Sequence, residues 1–331
     1  MSRSSLRGTA LLAAALVITS CGSDSGDDTT AEGTAPATGS SDAFPVTVET
    51  AFGDVTVEEE PTRVVALGWG DAEMALALGV QPVGASDWLG FGGEGVGPWA
   101  EGLYDEAPEI IETLEPSLEA IAALDPDLIL DTKSPTTEER YDALSAIAPT
   151  ISQPVGTDPY VVPFEEQLDL VGQALGRTEE AEEVEAEVDA AFAAAAEAHP
   201  EFDGTEVAVA AYTSEGFSAY VRGDSRVDFM EQLGFTNSPA IQELATDAFT
   251  VPVSEEQLPL LDADLTVAFP IFVEASEITD NPLWQAIPSV QAGNSVVLDD
   301  ETLTSAFSIG TPQGIQYALD NAVPQFADAL G

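Results

Sequence analysis

Basic residues are almost missing from this chain. Eight of 331 residues are Lys or Arg, against 60 Asp or Glu, for a formal charge of -52. Nucleic-acid binding needs lysine and arginine to neutralise phosphates, and adsorption to anionic lipid headgroups needs the same charges, so both are excluded. The acidity describes a strongly hydrated surface and says nothing about fold. Cysteine and histidine are scarcer still, one of each, at Cys21 and His199. A single cysteine forbids an internal disulfide, and so few His and Cys residues argue against a bare zinc, manganese or copper site. An oxygen-only calcium site stays open among so many carboxylates, although no EF-hand loop is present.

Long apolar runs are confined to the N-terminus. Arg3 and Arg7 precede "TALLAAALVIT", which is too short to span a bilayer as a mature anchor. Residues 1–20 therefore read as a signal peptide. The run ends in "ITSC" (18–21), which resembles a bacterial lipobox. The resemblance implies cleavage before Cys21, acylation of its thiol, and residence on the extracellular face of the cytoplasmic membrane. Acyl chains hold a protein there without electrostatic help. Residues 21–43, from Cys21 through "GSDSGDDTTAEGTAPATGSSDA", have no aromatic or large aliphatic side chain and read as a flexible tether.

Beyond the tether, short apolar runs alternate with helical patterns. "RVVALG" reads as a buried strand, "DAEMALALG" as a helix stopped by Gly79, and "PVGAS" as the next strand. "SLEAIAAL" follows as a helix capped by Ser117, then "PDLILDT" as a strand. After residue 204 come the strands "EVAVAAY", "SAYVRG", "DLTVAF" and "NSVVLD", the helix "SRVDFMEQLG", and a closing helical segment broken at Pro324. This alternation implies parallel α/β units. Between the two series, "TEEAEEVEAEVDAAFAAAAEAHP" predicts one helix of about twenty residues, about 30 Å long. An internal match supports the division: "SLEAIAALDPDL" (117–128) and "SEEQLPLLDADL" (254–265) share Ser, Glu, Leu, Asp, Asp and Leu in register. The expected fold is two Rossmann-like α/β lobes, residues 44–176 and 201–331, joined by a single long helix over 177–200.

"PTRVVALGWGDAEMALALGVQPVGASDW" (61–88), "PSLEAIAALDPDLIL" (116–130) and "NPLWQAIPSVQAGNSVVLD" (281–299) resemble the substrate-binding lipoproteins of ATP-binding-cassette importers, in the iron-siderophore branch. The likeness runs from Val46 to Leu330. It implies a ligand cleft between two α/β lobes, little hinge motion, no enzymatic activity, no cofactor, and a ferric siderophore as cargo, with cobalamin or haem as alternatives. It also implies an ABC permease dimer as partner and a monomeric receptor. The glutamates of the matched motifs, Glu119 and Glu256, then form salt bridges with permease arginines.

Ligands of parallel α/β sheets bind beyond the carboxyl ends of the strands. Those ends present Trp69, Trp88 and Lys133 in the first lobe, and Tyr212, Arg222, Phe272 and Phe307 in the second. Arg226 opens the helix after "VRGDS". Catecholate-binding members carry an arginine in a similar turn, so the resemblance assigns Arg226 to the ligand. Lys133 is the sole lysine, and a cation on a concave surface forms a local positive spot for an anionic chelate. The aromatics pack against the ligand's rings or linker. A neutral or cationic hydroxamate complex remains the competing cargo, because the acidic chain repels anions. Arg63 and Arg177 read as structural, and Arg140 as a surface ion-pair partner. "GFGGEG" (90–95) fits G-x-G-x-x-G but opens no helix, so it reads as a loop near the cleft. A secreted hydrolase is the rival from another class, with Ser214 in "YTSEG" as nucleophile and His199 as base.

Overall fold

Val64-Val65-Ala66 and Leu128-Ile129-Leu130 are apolar on every side chain and fully buried. Strands covered on both faces have this composition, and they set the architecture. The computed structural model describes residues 43–246 and 248–331. The signal segment, Cys21 and the tether as far as residue 42 lie outside the described residues. No described helix is long and apolar enough to cross a membrane.

A hairpin of β1 (Val46–Thr50) and β2 (Gly53–Val57) precedes the first half. Its sheet contains β3 (Val64–Ala66), β4 (Gly84–Ser86), β5 (Glu109–Ile111), β6 (Leu128–Leu130) and β7 (Thr150–Ile151). These strands are all parallel, in the order β5-β4-β3-β6-β7. The helices of this half are α1 (Asp71–Ala77), α2 (Leu118–Ala123), α3 (Glu138–Ser145) and α4 (Phe164–Leu175). Helix α5 (Thr178–Ala198) then leads to the second half. At 21 residues it is about 30 Å long.

The second sheet comprises β8 (Glu206–Thr213), β9 (Gly216–Tyr220), β10 (Thr236–Asn237), β11 (Thr250–Val253), β12 (Leu265–Pro270) and β13 (Ser295–Val297). Its helices are α6 (Ser225–Gln232), the short α7 (Pro239–Gln242), α8 (Ala275–Thr279) and α9 (Pro288–Ala292), then α10 (Glu301–Ile309) and α11 (Pro312–Leu330). The expectation of parallel units fails at one strand, β9, which pairs antiparallel with both β8 and β11. Strand β9 returns antiparallel to β8 through a two-residue link, Ser214-Glu215. So short a link permits a hairpin and forbids a parallel crossover. Gly216, at φ 109, supplies the left-handed backbone at the turn's exit.

With the hairpin set aside, the two sheets share one plan. The order β4-β3-β6-β7 matches β10-β8-β12-β13, parallel in each case. The repeated motif occupies equivalent places. Ser117 Oγ accepts the Ala120 amide at the start of α2, and Ser254 forms a capping box with Gln257 on a 3₁₀ turn over Glu255–Leu261. Asp127 accepts the amides of Thr62 and Arg63 at 2.8 Å each, just before β3. Asp264 accepts the Glu206 amide at 3.1 Å, at the start of β8. Each aspartate ties a strand of the motif to the neighbouring central strand.

One hydrophobic cluster runs through both halves, from Val48 and Leu168 to Phe269 and Phe326. Helix α11 closes it, packing against α5 and returning to α1 in the first half. The break expected at Pro324 does not occur, and α11 continues to Leu330. Its buried face, Ile315, Leu319, Val323 and Phe326, supplies packing that outweighs the backbone hydrogen bond proline removes.

The seam between the two halves

The loop after β3 is held by a buried carboxylate. Asp71 accepts hydrogen bonds from the Gly68 amide (2.8 Å), the Thr132 amide (3.0 Å), the Thr132 hydroxyl and Gln167 Nε2 (3.0 Å). Burial drives its pKa up against the pull of these donors. Gly68 must be glycine, since a Cβ there would lie 2.3 Å from Asp71 Oδ2 and 2.8 Å from the Lys133 nitrogen. Gln167 also donates to the Trp69 carbonyl, and the Trp69 amide donates to the Lys133 carbonyl at 2.7 Å. The backbone that presents Trp69 is therefore fixed from three elements.

The indoles are fixed in turn. Trp69 Nε1 donates across the seam to the Ile309 carbonyl at 3.0 Å, and Trp88 Nε1 donates to the Leu67 carbonyl at 2.9 Å. Their ring centroids lie 5.9 Å apart, and Tyr160 meets Trp88 edge-on at 5.9 Å. The three half-buried rings form a wall on the first half. Tyr160 holds a left-handed backbone, φ 65, in the loop before α4. The sequence reading missed it; a tyrosine in a turn-rich loop carries no signal of its own. Burial pushes its phenol pKa up.

Glu73 joins the halves beside this wall. Its carboxylate is buried and accepts from the Gly97 amide (3.1 Å), Trp99 Nε1 (2.8 Å) and the Thr311 hydroxyl of the opposite half. Burial raises its pKa, opposed by these donors. Phe91, from the loop over residues 90–95, packs edge-on against Trp99 at 5.5 Å.

The second half places its residues unevenly. Arg226 is 9% exposed on α6, lying 4.4 Å over the Tyr220 ring. Its Nη1 meets both oxygens of Asp224 at 3.1 and 2.9 Å, and Nε donates to Ser308 Oγ at 3.0 Å. Tyr212 is half-buried at the carboxyl end of β8. Phe272 follows β12 at φ 57 with its side chain fully in solvent, a strained and unpacked placement for a large ring. Arg222 is exposed and bonded to Glu231 at 2.7 Å. Phe307 is not at a surface. It lies 1% exposed in the core, against Phe229, Phe269 and Phe326, because its side of α10 faces the sheet.

Lys133 is 5% exposed and spans the seam, with Nζ 3.0 Å from Ser225 Oγ. Burial lowers its pKa to about 8, although Asp224 and Asp228 favour the charge. The sequence predicts a local positive spot on a concave, partly desolvated surface; the fold encloses the side chain further, leaving it 5% exposed. Arg140 differs from expectation in the same sense. It is no surface partner but bonds Asp131 through Nε (2.8 Å) and Nη2 (2.9 Å), with side chains 8% and 2% exposed. Among the described residues no cluster of His, Cys, Asp and Glu could hold a metal ion.

Glu119 and Glu256 are each exposed at the second position of their turns. A helix between parallel strands runs against them, so both turns start at the strands' carboxyl ends, on the same side of each sheet as the seam. The hydrolase pairing fails on position. His199 precedes β8 and bonds Glu201, whereas Ser214 follows it. The eight residues of β8 separate them by about 26 Å.

Matched halves with fixed aromatic rings at their seam define a protein built to enclose a solute. A family model described as periplasmic binding protein matches residues 64–302, and the chain belongs to that family of solute-binding proteins, not enzymes. It is 30% identical to the probable siderophore-binding lipoprotein YfiY of Bacillus subtilis, over 85% of this chain and 87% of that one. Among solved structures it is similar to PiaA of Streptococcus pneumoniae in complex with ferrichrome, with TM-score 0.76 and 26% identity, covering 86% of this chain and 98% of that one. SirA of Staphylococcus aureus complexed with staphyloferrin B gives TM-score 0.71 and 25% identity, covering 86% and 98%.

Proposed function

We propose that this protein captures a ferric siderophore in the seam between its halves and delivers it to an ABC importer. The observation that carries the reading is the wall of Trp69, Trp88 and Tyr160, each ring fixed by its neighbours, in a chain whose relatives are named for siderophores. The iron arrives already caged, so the protein supplies contact area and hydrogen bonds and no metal ligands. Phe272, fully exposed after the carboxyl end of β12, offers a further ring from the second half. Arg226 retains Nη2 as a donor toward the ligand, and Tyr212 offers its hydroxyl. The protein acts as a monomer, held by lipid on Cys21 at the outer face of the cytoplasmic membrane. Glu119 and Glu256 supply one carboxylate from each half to the arginines of a permease dimer.

Tryptophan-fluorescence titration tests the cargo, since two of the chain's four tryptophans stand in the seam. Ferric hydroxamate, carboxylate and catecholate complexes are compared with cobalamin and haem. Quenching by at least one ferric siderophore is expected. Phe272→Ala should weaken that binding by roughly 10- to 100-fold, the worth of burying one phenyl ring. Its folding stability should be unchanged. Tight binding of cobalamin or haem alone would overturn the assignment.

A further inference from the structure

The cations at the seam are already spent. Arg140 uses four of its five N–H donors, two on Asp131 and two on the carbonyls of Thr113 and Leu114. Arg226 lies against Asp224, Arg222 against Glu231, and Lys133 is enclosed with Asp224 and Asp228 close by. Four cations meet four carboxylates, Asp131, Asp224, Asp228 and Glu231, before the buried Asp71 and Glu73 are counted. The formal charge of the site is therefore zero at most. Beyond it stands a chain of 60 acidic residues.

We infer that the seam selects a ferric chelate without net negative charge, of the tris-hydroxamate type, and that Asp131 and Asp224 determine this specificity. The inference rests on the siderophore reading above and names its substrate class. A tris-hydroxamate neutralises Fe(III), because each chelating group is a monoanion. A tris-catecholate leaves the complex trianionic, because each group is a dianion. Moving a trianion out of water demands compensating charge at the site. Here every guanidinium is balanced by a carboxylate set at hydrogen-bond distance, so that compensation is absent. A neutral complex gives up only its hydrogen bonds to water. The donor left on Arg226 and the aromatic wall can replace those. The two aspartates are built in for the purpose of balance: both are under one-tenth exposed, and each grips its arginine through two oxygens.

The test uses ferrichrome as the neutral probe and ferric enterobactin as the trianionic one, titrated into the wild type, Asp224→Asn and Asp131→Asn. Asparagine at 224 can still accept the Arg226 amide at the helix start, so the cap survives while the charge goes. The wild type should bind ferrichrome at least about 100-fold more tightly, with a dissociation constant unchanged between about 0.02 and 0.5 M salt. Each variant should narrow that ratio by about 10-fold or more, and enterobactin binding should become weaker as salt rises. Asp131→Asn carries the same prediction should Asp224→Asn fail to fold. Wild-type binding of the trianion as tight as that of ferrichrome overturns the inference. So does a ratio unmoved by both substitutions. Quenching by neither probe nor by ferric citrate marks a different failure, that of the siderophore reading itself.

Discussion

Lys133 shows how position and environment part company. The sequence places the only lysine after a strand, and the fold puts it there, its carbonyl accepting the Trp69 amide and its Nζ donating to Ser225 Oγ across the seam. Enclosure lowers its pKa to about 8, well below the lysine norm. The unfolded chain therefore holds a proton that the folded protein has released between about pH 8 and 10.4, and stability rises with pH across that window. The contribution is complete above about 10.4 and is lost as the pH falls through about 8. Lys133→Met has no such titration. The unfolding free energy of the wild type minus that of the variant should therefore grow by about 3 kcal/mol from pH 7 to 10.5, read by urea denaturation. A difference constant with pH would mean that the ammonium is solvated.

At the scale of elements, the repeated motif does more than start helices. Asp127 accepts two backbone amides and the Thr62 hydroxyl, whereas Asp264 accepts one amide. Both sites face solvent, so water replaces part of what is lost. Asp127→Ala should cost about 1–2 kcal/mol and Asp264→Ala about 0.5, compared at one urea concentration series. Equal costs would show that the twin motifs are not used as their contacts indicate. The motif was legible through its capping, which is local, whereas the amides its aspartates hold lie 58 to 65 positions earlier in the chain and carry no local signal. The aromatic positions Trp69, Trp88 and Phe272 were legible for a related reason, since strand ends can be counted. Arg140, Phe307 and Tyr160 were not. Whether α3 turns a guanidinium toward Asp131, or α10 turns a phenyl ring inward, depends on packing between elements far apart in sequence. The course of α11 through Pro324 was hidden likewise, because local propensity signals a break and only burial of the opposite face overrides it.

At the scale of the whole molecule, the core and the charge act together on docking. The hydrophobic cluster passes unbroken through both halves, and Trp69, Glu73 and Lys133 each bond across the seam. Separating the halves would expose that core, so the two glutamate-bearing turns are expected to keep a nearly fixed spacing when cargo binds. A surface at formal charge -52 draws basic partners from any direction and cannot by itself specify orientation. Orientation must come from carboxylates at defined places, which is the role proposed for Glu119 and Glu256. Glu119→Ala with Glu256→Ala should leave chelate affinity unchanged while lowering siderophore-dependent iron uptake by cells about 10-fold or more. The control replaces two exposed glutamates of α5, Glu182 and Glu187, and lowers the charge by the same amount. Uptake in that control should stay near the wild type. An equal loss in both would assign docking to the overall field and remove any special place for the twin turns.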